Sequence, residues 1–212
     1  MLSLGALFGQ IFNKSRRIQA DAARQALVDG LVERGAASLA RAASLLGLTS
    51  IPILAEGGPA LVGELRGVSL SVTIAQDREG DLMTRFSATH AQLSGSEGAS
   101  GEPSLVVAVE PRGGALEALF RRGAPTLDAE FDAIFRVRTS DPLAMSAILD
   151  ERVRRGLLDL GDRMPLFLDF RGGEATLDTS GVELDPDRLV HLIELLLHIV
   201  GQRPEGRGPY RR

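Results

Sequence analysis

The sequence predicts an α+β protein: an antiparallel sheet of about seven strands covered by helices, with an N-terminal helical arm. Three observations carry that prediction. The first fifty residues read as helix, and strand patterning begins only after Gly57-Gly58-Pro59. Between Leu127 and Gly181 the spacing of apolar residues passes from strand to helix and back to strand. Within that stretch, Gly172-Gly173 separates two alternating runs, as the positive φ angles of a two-residue hairpin loop require.

Taken in order, Leu4, Leu7, Phe8, Ile11 and Phe12 fall within one arc of a helical wheel, and Lys14, Arg16 and Arg17 follow. This apolar stripe is too short to span a membrane. It lacks the basic leading segment and small-residue cleavage site of a secretory signal, so it is expected to be retained. Its expected destination is the protein's own core, with an anionic membrane surface or a partner protein as alternatives. Ile18 to Val32 continues as helix, Gly35 is expected to interrupt it, and a second helix runs from about Ala36 to Leu46, closed by Gly47. Leu61 to Arg66 and Val68 to Ile74 form a hairpin about Arg66-Gly67, which pairs Leu65 with Val68, Gly63 with Leu70 and Leu61 with Val72. A third strand is expected from Leu82 to Leu93. Leu105 to Val109 is continuously apolar and reads as a central strand. Ser94 to Pro103 reads as a mobile loop, and Ala115 to Arg122 as a short helix.

Next, Ala133, Phe135 and Val137 alternate with Ile134, Arg136 and Arg138 at the strand period. Asp141-Pro142 then supplies an N-cap and a proline at the first helical position. Met164 to Phe170 and Glu174 to Thr179 form the closing hairpin, with Arg171 opposite Glu174, Leu168 opposite Leu177 and Phe170 opposite Ala175. The last helix starts at Asp185-Pro186 and ends near Val200. Its apolar circumference is broad enough to demand burial on more than one side, and Leu192, Leu196 and Val200 are candidate contacts for self-association. The chain thus divides into a helical arm (1–50), an α+β domain (51–201) and a disordered basic tail (202–212).

Composition excludes more than it identifies. The chain has no cysteine and Lys14 is its single lysine, which removes thiol chemistry, thiolate metal sites and a phosphate-loop lysine. A net charge of -4 and 4% aromatics offer nucleic acid neither attraction nor stacking. No cofactor is expected. His191, Glu194 and His198 share one strip of the last helix, and Glu194 with His198 has the i, i+4 spacing of a metal pair. The two histidines lie two turns apart, however, and a solvated polar strip is the expected reading. Asp128, Glu130 and Asp132 alternate like three carboxylates on one side of a strand, but Asp128 reads better as a cap. His90 lies in phase with Phe86 and Ala88 and is expected to be a hydrogen-bonded core histidine.

The run Gly63-Glu64-x-Arg66-Gly67, Leu127-x-x-x-Phe131-Asp132-x-x-Phe135-x-Val137, Asp141-Pro142 and the closing hairpin and helix resembles a group of uncharacterised bacterial proteins. In those, a compact α+β domain follows an N-terminal helical or membrane-associated segment. The similarity covers about residues 60 to 200 and rests on strand and cap signals, so it implies no activity, cofactor or site residue. The functional expectation is a non-catalytic interaction protein, cytoplasmic or peripheral to a membrane. It would act as a homo-oligomer or with a partner protein, or reach a membrane surface through its N-terminal helix. A small-ligand or lipid-binding module and a metal-assisted hydrolase are the alternatives.

Overall fold

The computed structural model describes residues 4–52, 58–76, 80–90, 104–109, 124–161, 165–171 and 173–201, with the backbone alone for residues 4–21, 104, 105, 108, 109 and 161. The expected Ser94–Pro103 loop, the 115–122 helix, the 202–212 tail and the side chains of Leu4, Leu7, Phe8, Ile11 and Phe12 lie outside the described residues or atoms.

The chain begins with α1 (Leu4–Leu46), one unbroken helix of 43 residues, about 64 Å long at about 1.5 Å per residue. The break expected at Gly35 does not occur. A Cβ on Gly35 would stand 2.3 Å from Ile74 Cδ1 and 2.5 Å from Val182 Cγ1, so this glycine is where the helix backbone closes onto the domain. The helix stops at Gly47, whose φ of 69° continues into a hydrogen bond from the Leu48 amide to the Ala43 carbonyl at 2.9 Å.

Among the described residues eight strands follow in a single antiparallel sheet. They are β1 (Thr49–Ile51), β2 (Ala60–Leu65), β3 (Val68–Gln76), β4 (Leu82–His90), β5 (Ser104–Val109), β6 (Phe135–Thr139), β7 (Leu166–Arg171) and β8 (Glu174–Ser180). The sheet order is β1-β2-β3-β4-β8-β7-β5-β6. Both expected hairpins have the predicted registers, Leu65 against Val68 and Arg171 against Glu174. β5 pairs on both sides but is next to the edge strand β6 rather than central. The short edge strand β1, which lies before Gly57-Gly58-Pro59 where no strand is expected, makes the eighth.

Among the described residues the remaining helices are α2 (Ala129–Ile134), α3 (Pro142–Ile148), α4 (Glu151–Gly161) and α5 (Pro186–Gly201). α2 occupies residues expected to enter the following strand. Asp128 caps it through the Phe131 amide at 3.2 Å, and fully buried Phe131 stacks on Phe135 with 4.6 Å between ring centroids. Asp141 caps α3 as expected, accepting from Leu143 and Ala144. The helix after Asp141 is really two, because Asp150 caps a second one, α4, by accepting from the Val153 amide at 2.8 Å.

The helices deliver their buried residues to one face of the sheet. Leu39, Ala42 and Ala43 of α1, Val153 and Leu157 of α4, and Leu192, Ile193 and Leu196 of α5 share one core with Val72, Phe86, Leu168 and Leu177. Residue 50 is therefore not a boundary in packing, since the last third of the arm belongs to the domain core. Leu192, Leu196 and Val200, at 0, 0 and 2% exposure, are covered by their own chain, so any assembly surface has to lie elsewhere. The opposite face carries Ser69, Ser71, Thr73, Ser87, Thr89 and Thr176, with Arg85 on Asp178 and Arg171 on Asp169. No described helix is long and apolar enough to cross a membrane.

Candidate functional site

The two ends of α5 open onto different clefts, and the polar strip of the helix supplies groups to both. At its N-terminal end a cleft of about 740 Å³ is lined by Glu130, Ile134, Leu158, Asp159, Leu160, Asp185, Arg188 and His191. Arg188 Nε faces Glu183 Oε2 at 3.4 Å. The buried Glu183 is built into the fold: its amide donates to Thr84 Oγ1 at 2.9 Å, and its Oε1 accepts from the Asp185 amide at 3.0 Å. At the same place Arg188 Nη2 and Glu183 Oε2 are buried without a hydrogen-bond partner among the described residues.

At the C-terminal end a smaller cleft, about 390 Å³, is lined by Arg66, Val68, His90, Arg152, Glu194, Leu197, His198 and Gly201. Each element places its side chain for a local reason. Arg66 and Gly67 are the two central residues of the β2–β3 turn, with φ of 54° and 76°, the mirror-image turn that suits a hairpin's twist. Glycine or asparagine is usual there, and an arginine in this backbone region costs about 1–2 kcal/mol. In return Arg66 sets both guanidinium arms on Glu194, Nη1 and Nη2 each at 3.1 Å from one carboxylate oxygen.

His90 ends β4 in phase with Phe86 and Ala88, as the strand period requires, and so reaches the cleft from the core side. His198 lies in the last turn of α5, and its Nε2 meets Asp150 Oδ2 at 2.8 Å. Asp150 thereby does two jobs, one oxygen capping α4 and the other orienting the imidazole. Arg152, in the first turn of α4, is exposed and has no hydrogen-bond or ionic partner among the described residues.

Three groups expected to share one strip are thus divided: His191 opens on the larger cleft, Glu194 is held by Arg66, and His198 by Asp150. Among the described residues no three groups are placed to hold a metal ion. Nor do Asp128, Glu130 and Asp132 line one side of a strand. They lie on and before a helical turn, where Asp128 bonds Arg154 at 3.0 Å and Asp132 accepts from Thr126. The pairing of Asp150 with His198 and the grouping of His90 with Arg66 and Arg152 carried no local signal. Only the cap role of Asp150 could have been read, from an aspartate followed by Glu151 in a first helical turn.

Chemically, the smaller cleft offers two guanidinium groups, two imidazoles and one carboxylate above the apolar Val68 and Leu197. Its described lining holds no Ser, Thr, Cys or Lys that could act as a nucleophile. Comparisons of the chain with protein-family models, with curated proteins and with solved structures return no match.

Proposed function

We propose that this is a non-catalytic binding protein, and that its smaller cleft recognises a small molecule through an anionic group. The observation that carries this reading is Arg152. The other arginine of the lining already faces a carboxylate, whereas Arg152 is exposed and lines the same cleft with its five N–H donors uncommitted among the described residues. An apolar ligand inside the fold is not what the packing supports, because the space between α5 and the sheet is filled by side chains at or near zero exposure. Titration calorimetry with acetate and with inorganic phosphate tests the reading. Wild type should bind at least one of the two, and Arg152→Gln should lose about tenfold in affinity, the worth of one charge-assisted hydrogen bond. No binding of either anion, or unchanged binding by Arg152→Gln, would remove the proposal.

A second reading, an interaction role at a partner protein or a membrane surface, is favoured by one observation. α1 runs 43 residues, yet its described side chains join the core only from Val32 onward, and Leu27 is 65% exposed. Deleting residues 1–21 should then remove the interaction, whether measured as sedimentation with anionic vesicles or as self-association by light scattering. The domain should melt as before. Equal sedimentation and equal association of the two forms would discard this reading.

A further inference from the structure

We infer that the anionic group taken by the smaller cleft is a phosphate monoester, held between Arg152 and Arg66, with Arg66 exchanging Glu194 for the ligand. This rests on the anion-binding reading above and adds to it the ligand's charge and the manner of entry. Arg66 is a displaceable partner. Its side chain is 70% exposed and that of Glu194 is 30% exposed, so the pair is screened by water and worth about 0–1 kcal/mol.

The geometry of that pair also shows what Arg66 is aimed to hold. Two parallel N–H donors on two oxygens are the arrangement an arginine makes with a carboxylate or with a phosphoryl group. A ligand carboxylate replaces Glu194 with an equal charge and gains nothing from the exchange. A phosphate monoester brings a charge of about −1.5 to −2 and three acceptor oxygens, enough for both guanidinium groups at once. The cost of holding Arg66 at φ 54° is consistent with a residue kept for its side chain, since glycine or asparagine would make the same turn without strain. A cleft of about 390 Å³, lined also by His90 and His198, leaves room for a small organic group against Val68 and Leu197.

The chemistry is shared by a soluble phosphate monoester and by a lipid whose headgroup ends in one, and the test separates them. Titration of the full chain would use acetate, inorganic phosphate and glycerol 3-phosphate, together with sedimentation on vesicles containing phosphatidic acid or, as a phosphodiester control, phosphatidylglycerol. Glycerol 3-phosphate should bind at least about tenfold more tightly than acetate, and Arg66→Gln should abolish that preference while leaving acetate binding in place.

The decisive variant is Glu194→Gln. Releasing Arg66 should raise affinity for glycerol 3-phosphate several-fold, whereas a purely structural pair would leave it equal or lower it. Sedimentation with phosphatidic acid but not phosphatidylglycerol, alongside binding of inorganic phosphate but not of glycerol 3-phosphate, would support the inference with a lipid as the source. Acetate and glycerol 3-phosphate binding equally, both dependent on Arg152, would overturn this inference and spare the anion-binding reading. Failure of every anion would overturn both. Arg66→Lys, which keeps the charge and loses the fork, guards against misfolding: it should melt like the wild type and still lose the phosphate preference.

Discussion

α5 and α1 cover the same face of the sheet but are bound to it by different means. α5 places eight large aliphatic side chains in the core from 16 residues. α1 has 43 residues and, among those whose side chains are described, buries Leu39, Ala42, Ala43 and the backbone at Gly35. One helix is held by the volume it fills, the other by how closely small residues let its backbone approach. Large side chains carry their binding energy wherever they are buried. Small ones contribute only if the surface opposite is shaped to meet them, so the two helices should respond to substitution in different ways.

The largest effect should come from emptying α5. Leu196→Ala should cost about 2–5 kcal/mol, which for a chain of this size lowers the melting temperature by roughly 2–4 °C per kcal/mol. A drop of less than about 1 kcal/mol would show that α5 is not the volume-filling clamp described here. In α1 the sign should depend on position. Gly35→Ala would push a methyl group to within 2.3 Å of Ile74 Cδ1, and overpacking costs about 1–3 kcal/mol. Gly30→Ala meets nothing within 4 Å and should stabilise the helix by about 0.5–1 kcal/mol. Denaturant melts of the pair would break the comparison if both changes stabilised the protein or both weakened it.

Electrostatic contributions should rank below these. The Asp128 carboxyl is held below the ordinary carboxylate range, first by the Phe131 amide and then by the Arg154 guanidinium. A depressed folded pKa stabilises the fold above the unfolded value of about 3.9 and is lost as the pH falls through the lower folded value. Thermal melts from about pH 6 down to about pH 3 should therefore fall more steeply for wild type than for Asp128→Asn. Parallel curves would show that the cap contributes nothing through its charge. The smallest effect belongs to the open face, where Arg85 and Asp178 pair at 2.7 Å with the arginine half exposed. A double-mutant cycle there should return less than about 1 kcal/mol.

Much of the fold was legible because it is made by neighbours in the chain. The Arg66-Gly67 turn sets the β2–β3 register, β7 and β8 meet in the register that Arg171 opposite Glu174 predicts, and Asp141 with Pro142 starts α3. Each depends on residues a few positions apart, and the two-residue and 3.6-residue periods carry the rest. What tertiary structure alone decided depends on residues that are distant in sequence. Gly35 weakens a helix in isolation by about 1 kcal/mol. The helix runs through it here, and Ile74 and Val182 lie too close to leave room for a side chain. β5 has the composition of a central strand, yet its place is set by β8 pairing with β4 and leaving it next to the edge. The cleft joins Arg66 to Glu194 across 128 positions and Asp150 to His198 across 48. No local period encodes such a meeting. It is fixed by where the packed core sets the end of α5 relative to the β2–β3 turn and the first turn of α4.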